Sequence, residues 1–306
     1  MPTGEASSGN RRHGTAGRAI GKEHQLKYGF VIPKGDPRTV ATLARELEDA
    51  GWDGAFYWDG MSLTGDFAWD VYDPWVVMAA MAMTTERVRL GAIVTPPSRR
   101  RPWKLARETM TLDRLSNGRL VVPVGLGAID DQGFGNVGEA TDRRTRAELL
   151  DESLAILDGL WSGEPFAFEG QHYRFGEMAF QPTPVQRPRP PVWVVAAWPY
   201  PKSLARAIRY DGILANFPDG SGGQGDATPE RYATLAAWVA ENRTEPGPFD
   251  IIAEGVTPAG DPGAAAERVR PYAEAGCTWW IESPWQAPNE VDDLRRRIAA
   301  GPPRLG

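Results

Sequence analysis

The sequence is poor in cysteine. Cys277 is the single cysteine among 306 residues. One cysteine excludes a disulfide bond within the chain, and it is typical of proteins that work in a reducing cytoplasm. We therefore predict a cytoplasmic protein.

The sequence also lacks an excess of basic residues and long apolar runs. Its formal net charge is −6 and its pI is about 5.3, which argues against nucleic acid and against a basic membrane-binding surface. No apolar run approaches the roughly 20 residues that a membrane crossing needs. Residues 1–25 are rich in Gly, Ser, Arg and Ala and lack the apolar segment of a secretory signal. We predict a disordered tail at 1–25 and a folded domain at 26–306.

A third glycine is missing where a dinucleotide-binding loop would need it. The stretch GRLVVPVGLGAIDDQGFG, residues 118–135, ends a strand-like run with Gly125 and Gly127, but the third position of a Gly-x-Gly-x-x-Gly motif is Asp130. More loop follows instead of a helix. The dinucleotide fingerprint is therefore absent, and the two glycines need another explanation.

What the sequence does contain is an alternation of short apolar runs with helical periods. The pairs Asp36-Pro37 and Asp73-Pro74 are typical helix starts. Eight strand–helix units can be counted, and residues 162–191 interrupt them with alternating aromatic, Gly and Pro residues. Near-continuous apolar runs indicate strands that are buried on both faces. We predict an α/β fold: a single (β/α)8 TIM barrel with a small β excursion between helix 4 and strand 5.

In such a barrel the chemistry lies at the mouth, the end where the strands run into the helices. Gly125 and Gly127 end the fourth predicted strand there. The absence of a side chain lets a planar ligand approach the backbone. The alternative is that these glycines only shape a turn.

The stretch from Glu86 to Gly127 resembles the luciferase-like monooxygenase family. It carries a Leu-Gly strand, an Arg-x-Pro turn, a Leu-Asp-x-Leu-Ser-x-Gly-Arg helix end and a Gly-x-Gly strand end, and FEGQHYRF, PVQRPRPPVWVVAA and YDGILA add weaker matches. The similarity covers about residues 27–300. The resemblance implies a barrel that binds FMN or the deazaflavin coenzyme F420.

The resemblance also implies where the cofactor binds. Family members hold a non-prolyl cis peptide bond beneath the ring, which aligns with Ile93–Val94 here and makes Ile93, Val94 and Thr95 cofactor-binding candidates. The cofactor phosphate is expected at the end of the fifth strand. The candidates there are the amides near Ala197 and Trp198, with Lys202 and Ser203 at a helix start. Lys202 reads equally well as an ordinary surface lysine.

Trp58 and Asp59 end the second predicted strand, which forms a wall of the cofactor pocket in the family. Asp59 is expected to bond the polar edge of the ring, or else to cap a helix. Many relatives place a histidine next, where this chain has Gly60, and the family's sugar-phosphate dehydrogenases place a glutamate where this chain has Ala128. The acid/base pair of those dehydrogenases is therefore absent.

Other candidates follow from their position at the mouth. Glu254 and Glu282 end the seventh and eighth predicted strands and, with Asp59, are the catalytic candidates, although each glutamate fits a salt-bridged structural role equally well. Arg99, Arg100 and Arg101 follow the third strand and are expected to clamp an anionic substrate or the acidic tail of F420, or else to form a solvated charge run. Trp285 is expected to line an apolar substrate pocket.

The histidines do not offer a catalytic base at the mouth. His13 and His24 lie in or near the tail, and His172 lies in the β excursion. No His-x-His pair follows the first strand, so a metal-dependent barrel hydrolase is not indicated, and we predict no metal.

The leading functional prediction is a flavin- or F420-dependent oxidoreductase acting on a small organic substrate. It would work by flavin-peroxide oxygenation, with a separate reductase supplying reduced cofactor, or by hydride transfer with F420. The three arginines and the missing histidine favour F420 slightly. The alternatives are a barrel hydrolase that uses Glu254 and Glu282 and a flavin-binding protein without turnover. The resemblance also implies pairing of two barrels through helices two and three, so the apolar stretch Val76–Met83 is expected to form a homodimer interface, or else to pack within the chain.

Overall fold

Eight parallel strands form one sheet that wraps into a barrel. The structure, a computed structural model, describes residues 26–63, 69–128, 131–219, 225–286 and 288–305. The predicted disordered tail at 1–25 lies outside the described residues. The barrel strands are β1 Lys27–Val31, β2 Gly54–Tyr57, β3 Arg89–Ala92, β4 Val122–Val124, β7 Val192–Ala197, β8 Gly212–Asn216, β9 Asp250–Gly255 and β10 Trp279–Glu282.

The sheet order is β3-β2-β1-β10-β9-β8-β7-β4. Its two edge strands, β3 and β4, meet through two short parallel bridges, Leu90 with Leu120 and Thr95 with Val124. The sheet therefore closes on itself, and the predicted TIM barrel is confirmed. None of the helices in the described part of the chain combines the length and the apolar character that a membrane crossing requires.

A helix follows each barrel strand and packs on the outside. The predicted caps Asp36 and Asp73 are confirmed, because each carboxylate accepts backbone N–H groups of the first helical turn. Asp142 and Asp261 cap the fourth and seventh helices in the same way. The helices are α1 Pro37–Asp49, α2 Pro74–Thr84, α3 Pro102–Leu115, α4 Arg143–Trp161, α5 Pro201–Ala207, α6 Pro229–Asn242, α7 Pro262–Glu274 and α8 Val291–Ala299.

The predicted β excursion is an antiparallel hairpin between α4 and β7. Its strands are β5 Phe166–Glu169 and β6 Arg174–Met178. The Glu152 carboxylate on α4 accepts the backbone N–H groups of residues 171–173 and fixes the turn of the hairpin to the helix. His172 lies in this turn and contacts Glu148, so it is part of the hairpin attachment.

Side chains of the barrel strands alternate between the interior of the barrel and the surrounding helices. On β10, Trp279 and Ile281 pack inside the barrel, whereas Trp280 packs with the helices. Because the period of a strand is two residues, this alternation also fixes where the side chains at the strand ends point. Trp193 and Trp279 fill the interior, with ring centroids 5.2 Å apart, so a ligand site within the barrel has to lie above this layer.

Candidate active site

A cavity of about 480 Å³ lies at the mouth of the barrel. This size is within the range of small-molecule and cofactor sites. Eight of the sequence-predicted site residues line it: Trp58, Asp59, Ile93, Val94, Arg99, Gly127, Glu254 and Trp285. Eight others do not appear in its wall: Thr95, Arg100, Gly125, Ala197, Trp198, Lys202, Ser203 and Glu282.

The third strand contributes one wall of the cavity. The peptide bond between Ile93 and Val94 is cis, at the position that the family resemblance implies, and both side chains line the cavity. Thr95 is almost fully buried, and its backbone pairs with β4 through Pro123 and Gly125. Thr95 therefore holds the two edge strands together beside this wall.

Gly125 and Gly127, which follow β4, have different roles. A Cβ at Gly125 would lie 3.0 Å from Val195 and 3.1 Å from Val94, so protein side chains fill the space that the sequence analysis assigned to a ligand. Gly127 has a φ of +78° and lines the cavity, which is a conformation that favours glycine. Gly127 thus shapes a turn, as the alternative interpretation had it, whereas Gly125 is required because the side chains of Val195 and Val94 pack closely against it.

Trp58 and Asp59, directly after β2, have different surroundings. The Trp58 ring lines the cavity, and its Nε1 donates to the Pro33 carbonyl at 2.9 Å. A Cβ at Gly60 would lie only 2.2 Å from this ring. The Trp58 indole therefore occupies the space that a side chain at position 60 would need.

Asp59 belongs to a buried chain of four charges. Its carboxylate pairs with Arg99 at 2.9 Å and with Arg100 at 2.8 Å. Arg99 also pairs with Asp131, and the side chains of Asp59, Arg99 and Asp131 are each at most 5% exposed. Two positive and two negative charges balance within the protein. Arg99 and Arg100 therefore carry no uncompensated charge with which to clamp an anion, as was predicted for them. The Asp59 carboxylate, which was predicted to bond the cofactor ring, is bound by these two arginines instead.

Asp131 extends this network to a third loop. Its carboxylate accepts the backbone N–H groups of Met61, Ser62 and Gly133. Burial would raise the pKa of Asp131, but Arg99 and these N–H groups outweigh it and lower the pKa below its ordinary value. The network therefore joins the loops that follow β2, β3 and β4, and the lowered pKa keeps Asp131 ionised at neutral pH.

The predicted phosphate cradle after β7 is closed by bonds within the protein. The Ala197 amide donates to Ser203 Oγ at 3.0 Å, and the Trp198 amide donates to the Asn216 carbonyl at 2.8 Å. Lys202 is exposed. The two amides are thus already used, and the structure differs from the predicted arrangement because the short helix α5 packs its own serine against the strand end.

Glu254 and Glu282 point to opposite faces of the sheet. Glu254 is paired in register with Ile281, whose side chain lies inside the barrel, and Glu282 follows Ile281 by one residue. Glu282 points outward, where Arg297 pairs with it at 2.9 Å and the Thr257 amide donates to it. Glu282 therefore has the salt-bridged structural role, and the carboxylate pair of the hydrolase alternative does not form.

Glu254 lines the cavity, and Trp285 Nε1 donates to its Oε1 at 2.6 Å. Burial raises the pKa of the Glu254 carboxyl, outweighing the bonds from Trp285 and Ser283 that favour the ionised form. Among the described residues, no ion pair involves this carboxyl. Glu254 is thus the cavity carboxyl whose ionised form no described arginine stabilises.

Four further polar or aromatic residues line the cavity without having been predicted from the sequence: Asn216, Tyr232, Asp131 and Phe134. Asn216 ends β8 two residues after the inward-facing Leu214, and Glu254 likewise follows Ile252 by two residues, one position before the end of β9. Asn216 could have been predicted from the sequence, because residues two positions apart in a strand face the same side. Phe134 and Asp131 come from a loop without periodicity, and Tyr232 comes from α6, so no local pattern marks them.

The sequence profile of the family described as luciferase-like monooxygenase matches residues 13–300. Among curated proteins, an uncharacterized protein of Mycobacterium tuberculosis strain H37Rv is 38% identical over 136 residues, which cover 44% of this chain and 47% of that protein. The oxygenase component of the flavin-dependent trigonelline monooxygenase of Acinetobacter baylyi is 31% identical over 127 residues, covering 42% of this chain and 35% of that protein. The chain thus spans less than half the length of these relatives.

Two solved structures share the fold. The monooxygenase RslO1 from Streptomyces bottropensis superposes with a TM-score of 0.74 at 18% identity, covering 89% of this chain and 96% of that one. The coenzyme F420 dependent tetrahydromethanopterin reductase from Methanopyrus kandleri gives 0.69 at 16% identity, covering 91% and 98%. At these identities the similarity supports the fold.

The charge network predicts a graded response to loss of each arginine. Arg99→Met leaves two buried aspartates without their shared partner, so we expect the free energy of unfolding to fall by roughly 3–5 kcal/mol. Arg100→Met leaves Asp59 paired with Arg99 and should cost about 1–2 kcal/mol. The exposed Arg101 is the matched control, and Arg101→Met should change stability by less than about 0.5 kcal/mol. Chemical denaturation measures all three, and equal losses would contradict the network.

The raised pKa of Glu254 predicts a pH-dependent stability difference. The folded protein keeps this proton to a higher pH than the unfolded chain, so ionisation costs stability as the pH rises above the unfolded value of about 4.3. Glu254→Gln removes the cost and keeps an acceptor for Trp285. We expect the variant to exceed wild type in free energy of unfolding at pH 8, and the difference to shrink towards pH 4.5. The exposed Glu241→Gln is the control, and a variant less stable than wild type at pH 8 would contradict the assignment.

Proposed function

Because this chain belongs to the luciferase-like monooxygenase family, we propose that it is an oxidoreductase that binds FMN or F420 at the mouth of the barrel and acts there on a small organic substrate. The observation that carries the proposal is the 480 Å³ cavity with Ile93 and Val94 in its wall. FMN would supply oxygen activation at this site, and F420 would supply hydride transfer.

The cavity residues suit a flat, largely apolar ring with a polar edge. Ile93, Val94, Val195 and Leu214 give the apolar surface. Asn216 brings an amide, and its buried Oδ1 has no hydrogen-bond partner among the described residues. We propose that the aliphatic side chains hold the faces of the ring and that Asn216 lies at its polar edge.

The remaining cavity residues exclude water and position the ligand. Trp58 is held by Pro33 and lies in the wall formed by β2. Asp59 acts through the arginines that join three loops rather than by contact with the ring. Glu254 is the proposed catalytic candidate that faces the ligand, because the carboxylates of Asp59 and Glu282 are held by arginines.

The proposal covers both cofactors. Two observations favoured F420, namely the arginines after β3 and the absence of the family histidine. Arg99 and Arg100 are paired within the protein, so the first observation no longer distinguishes F420 from FMN. One relative is called flavin-dependent and one solved structure is called coenzyme F420 dependent.

We also propose a separate reductase as a partner if the cofactor is FMN. The relative from Acinetobacter baylyi is named as the oxygenase component of its enzyme.

The cytoplasmic location remains a prediction from Cys277, which is a buried free thiol.

Titration of the purified protein with FMN and with F420, followed by cofactor fluorescence, tests the proposal. We expect one of them to bind, and we expect Ala128→Trp to weaken that binding about tenfold or more, because Ala128 lies at the cavity in an exposed loop and an indole there would fill space. Glu139→Trp, which adds the same ring to an exposed position of the same loop, should leave the affinity unchanged. Failure of both cofactors to bind the wild-type protein would count against the proposed function.

The surface of α2 supports a homodimer as part of this proposal. Val76 is 65% exposed and Met83 is 71% exposed, and their seven-residue separation places them on one face of the helix. The partly exposed Ala79 and Ala80 lie between them. An apolar stripe of this kind is typical of a protein interface. We propose that it packs against a second copy of the chain.

Light scattering tests the homodimer. We expect a dimer mass at micromolar concentration and a monomer mass for the double variant Val76→Glu, Met83→Glu, because burying four like charges at a twofold interface is unfavourable. Val137→Glu changes an exposed valine elsewhere and should leave the mass unchanged. A strictly monomeric wild-type protein would exclude this interface.

A further inference from the structure

Glu254 differs from the other carboxyls that line the cavity. Asp59 and Asp131 are both paired with Arg99. Glu254 has Trp285 as its hydrogen-bond donor, and in the described part of the chain no arginine, lysine or histidine forms an ion pair with it. The cavity thus holds one carboxyl whose charge the protein does not balance.

The groups around Glu254 are neutral on every side that the structure describes. Asn216 lies on the neighbouring strand β8, and Tyr232 comes from α6, with its hydroxyl donating to the Ile252 carbonyl. Trp285 and Ser283 follow β10. Across the cavity, the charge of Arg99 is already balanced by two aspartates. Among the described residues, no cationic side chain pairs with Glu254, so a cationic ligand would meet this carboxyl without a competing partner.

The walls of the cavity are also suited to a cation. Trp58, Trp285 and Tyr232 line the same space as Glu254. Aromatic rings attract organic cations, and tryptophan does so most strongly. The Phe134 ring already lies near the guanidinium groups of Arg99 and Arg146, at 5.1 and 5.2 Å, and the Tyr232 ring packs against Phe217 and Tyr272, so the indole of Trp285 beside Glu254 is the ring best placed to meet a ligand.

We propose that the substrate is an organic cation, an amine or a quaternary ammonium compound, and that its positive group lies against Glu254 and the indole of Trp285. This inference rests on the proposed function in that the cavity is taken as the substrate site of an oxidoreductase. Glu254 is then a specificity-determining residue, since a ligand carboxylate at the same place would lie against a like charge.

The pairing links cation binding to the protonation of Glu254. In the free protein, burial favours the protonated carboxyl. A cation binds the ionised form, so its affinity rises with pH as Glu254 loses its proton, whereas the affinity of an uncharged ligand of the same shape does not depend on this proton. The other charged groups at the cavity, Asp59, Arg99 and Asp131, are paired with one another.

Three probes of nearly equal shape test the inference: choline, its uncharged isostere 3,3-dimethylbutan-1-ol, and the anion 3,3-dimethylbutanoate. Dissociation constants from ligand-observed NMR are compared for wild type, Glu254→Gln and the surface control Glu241→Gln. We expect wild type at pH 8 to prefer choline about tenfold or more over the isostere and to exclude the anion. Glu254→Gln should abolish that preference without weakening the isostere, and Glu241→Gln should keep it.

The inference is overturned if wild type binds choline no better than the isostere, if it binds none of the probes, or if Glu254→Gln retains the preference. Thermal denaturation of each variant confirms that it is folded. The titration of the wild-type protein with FMN and F420 tests the proposed function separately from these probes. A preference for choline without binding of FMN or F420 would sustain this inference and contradict the proposed function, and the reverse outcome would contradict this inference alone.

Discussion

The mouth of the barrel depends on Arg99, which bridges two buried aspartates from different loops. Asp59 follows β2, Asp131 follows β4, and Arg99 itself follows β3. Removing a buried charge from such a set leaves its partners uncompensated, so the three loops are held together as a unit. Asp131 also accepts three backbone N–H groups, which fixes its loop over the cavity. The shape of the cavity, and the neutral charge of this side of it, both follow from this network.

On the opposite side of the cavity, the alternation of side chains along the strands decides which residues face the ligand site. Asn216 and Glu254 follow inward-facing residues of β8 and β9 by two positions, so both face the cavity. Glu282 is shifted by one position relative to Glu254 and faces the helices. A single-residue difference in register thus separates a carboxyl that lines the cavity from one that pairs with Arg297 outside the barrel. The cavity has a charge-balanced side and a side with one unbalanced carboxyl.

The barrel, its hairpin excursion and the aspartate helix caps could be predicted from the sequence, because apolar runs, turn residues and Asp-Pro pairs are local signals. The cis bond at Ile93–Val94 and the wall at Trp58 followed from the family resemblance. The roles of Asp59, Arg99 and Arg100 could not be predicted, because the partner Asp131 lies 32 positions after Arg99 in a loop without periodicity. The closed cradle at Ala197 depends on the packing of Ser203, which no sequence pattern marks.

A crystal structure with FMN or F420 bound tests the central claim most directly, namely that the cavity between Val94 and Glu254 receives the ring while the charge network stays intact. The account predicts a ring in contact with Ile93, Val94 and Val195, with Arg99 still paired with Asp59 and Asp131. A cofactor bound outside this cavity, or an Arg99 that leaves both aspartates to hold the cofactor phosphate, would contradict it.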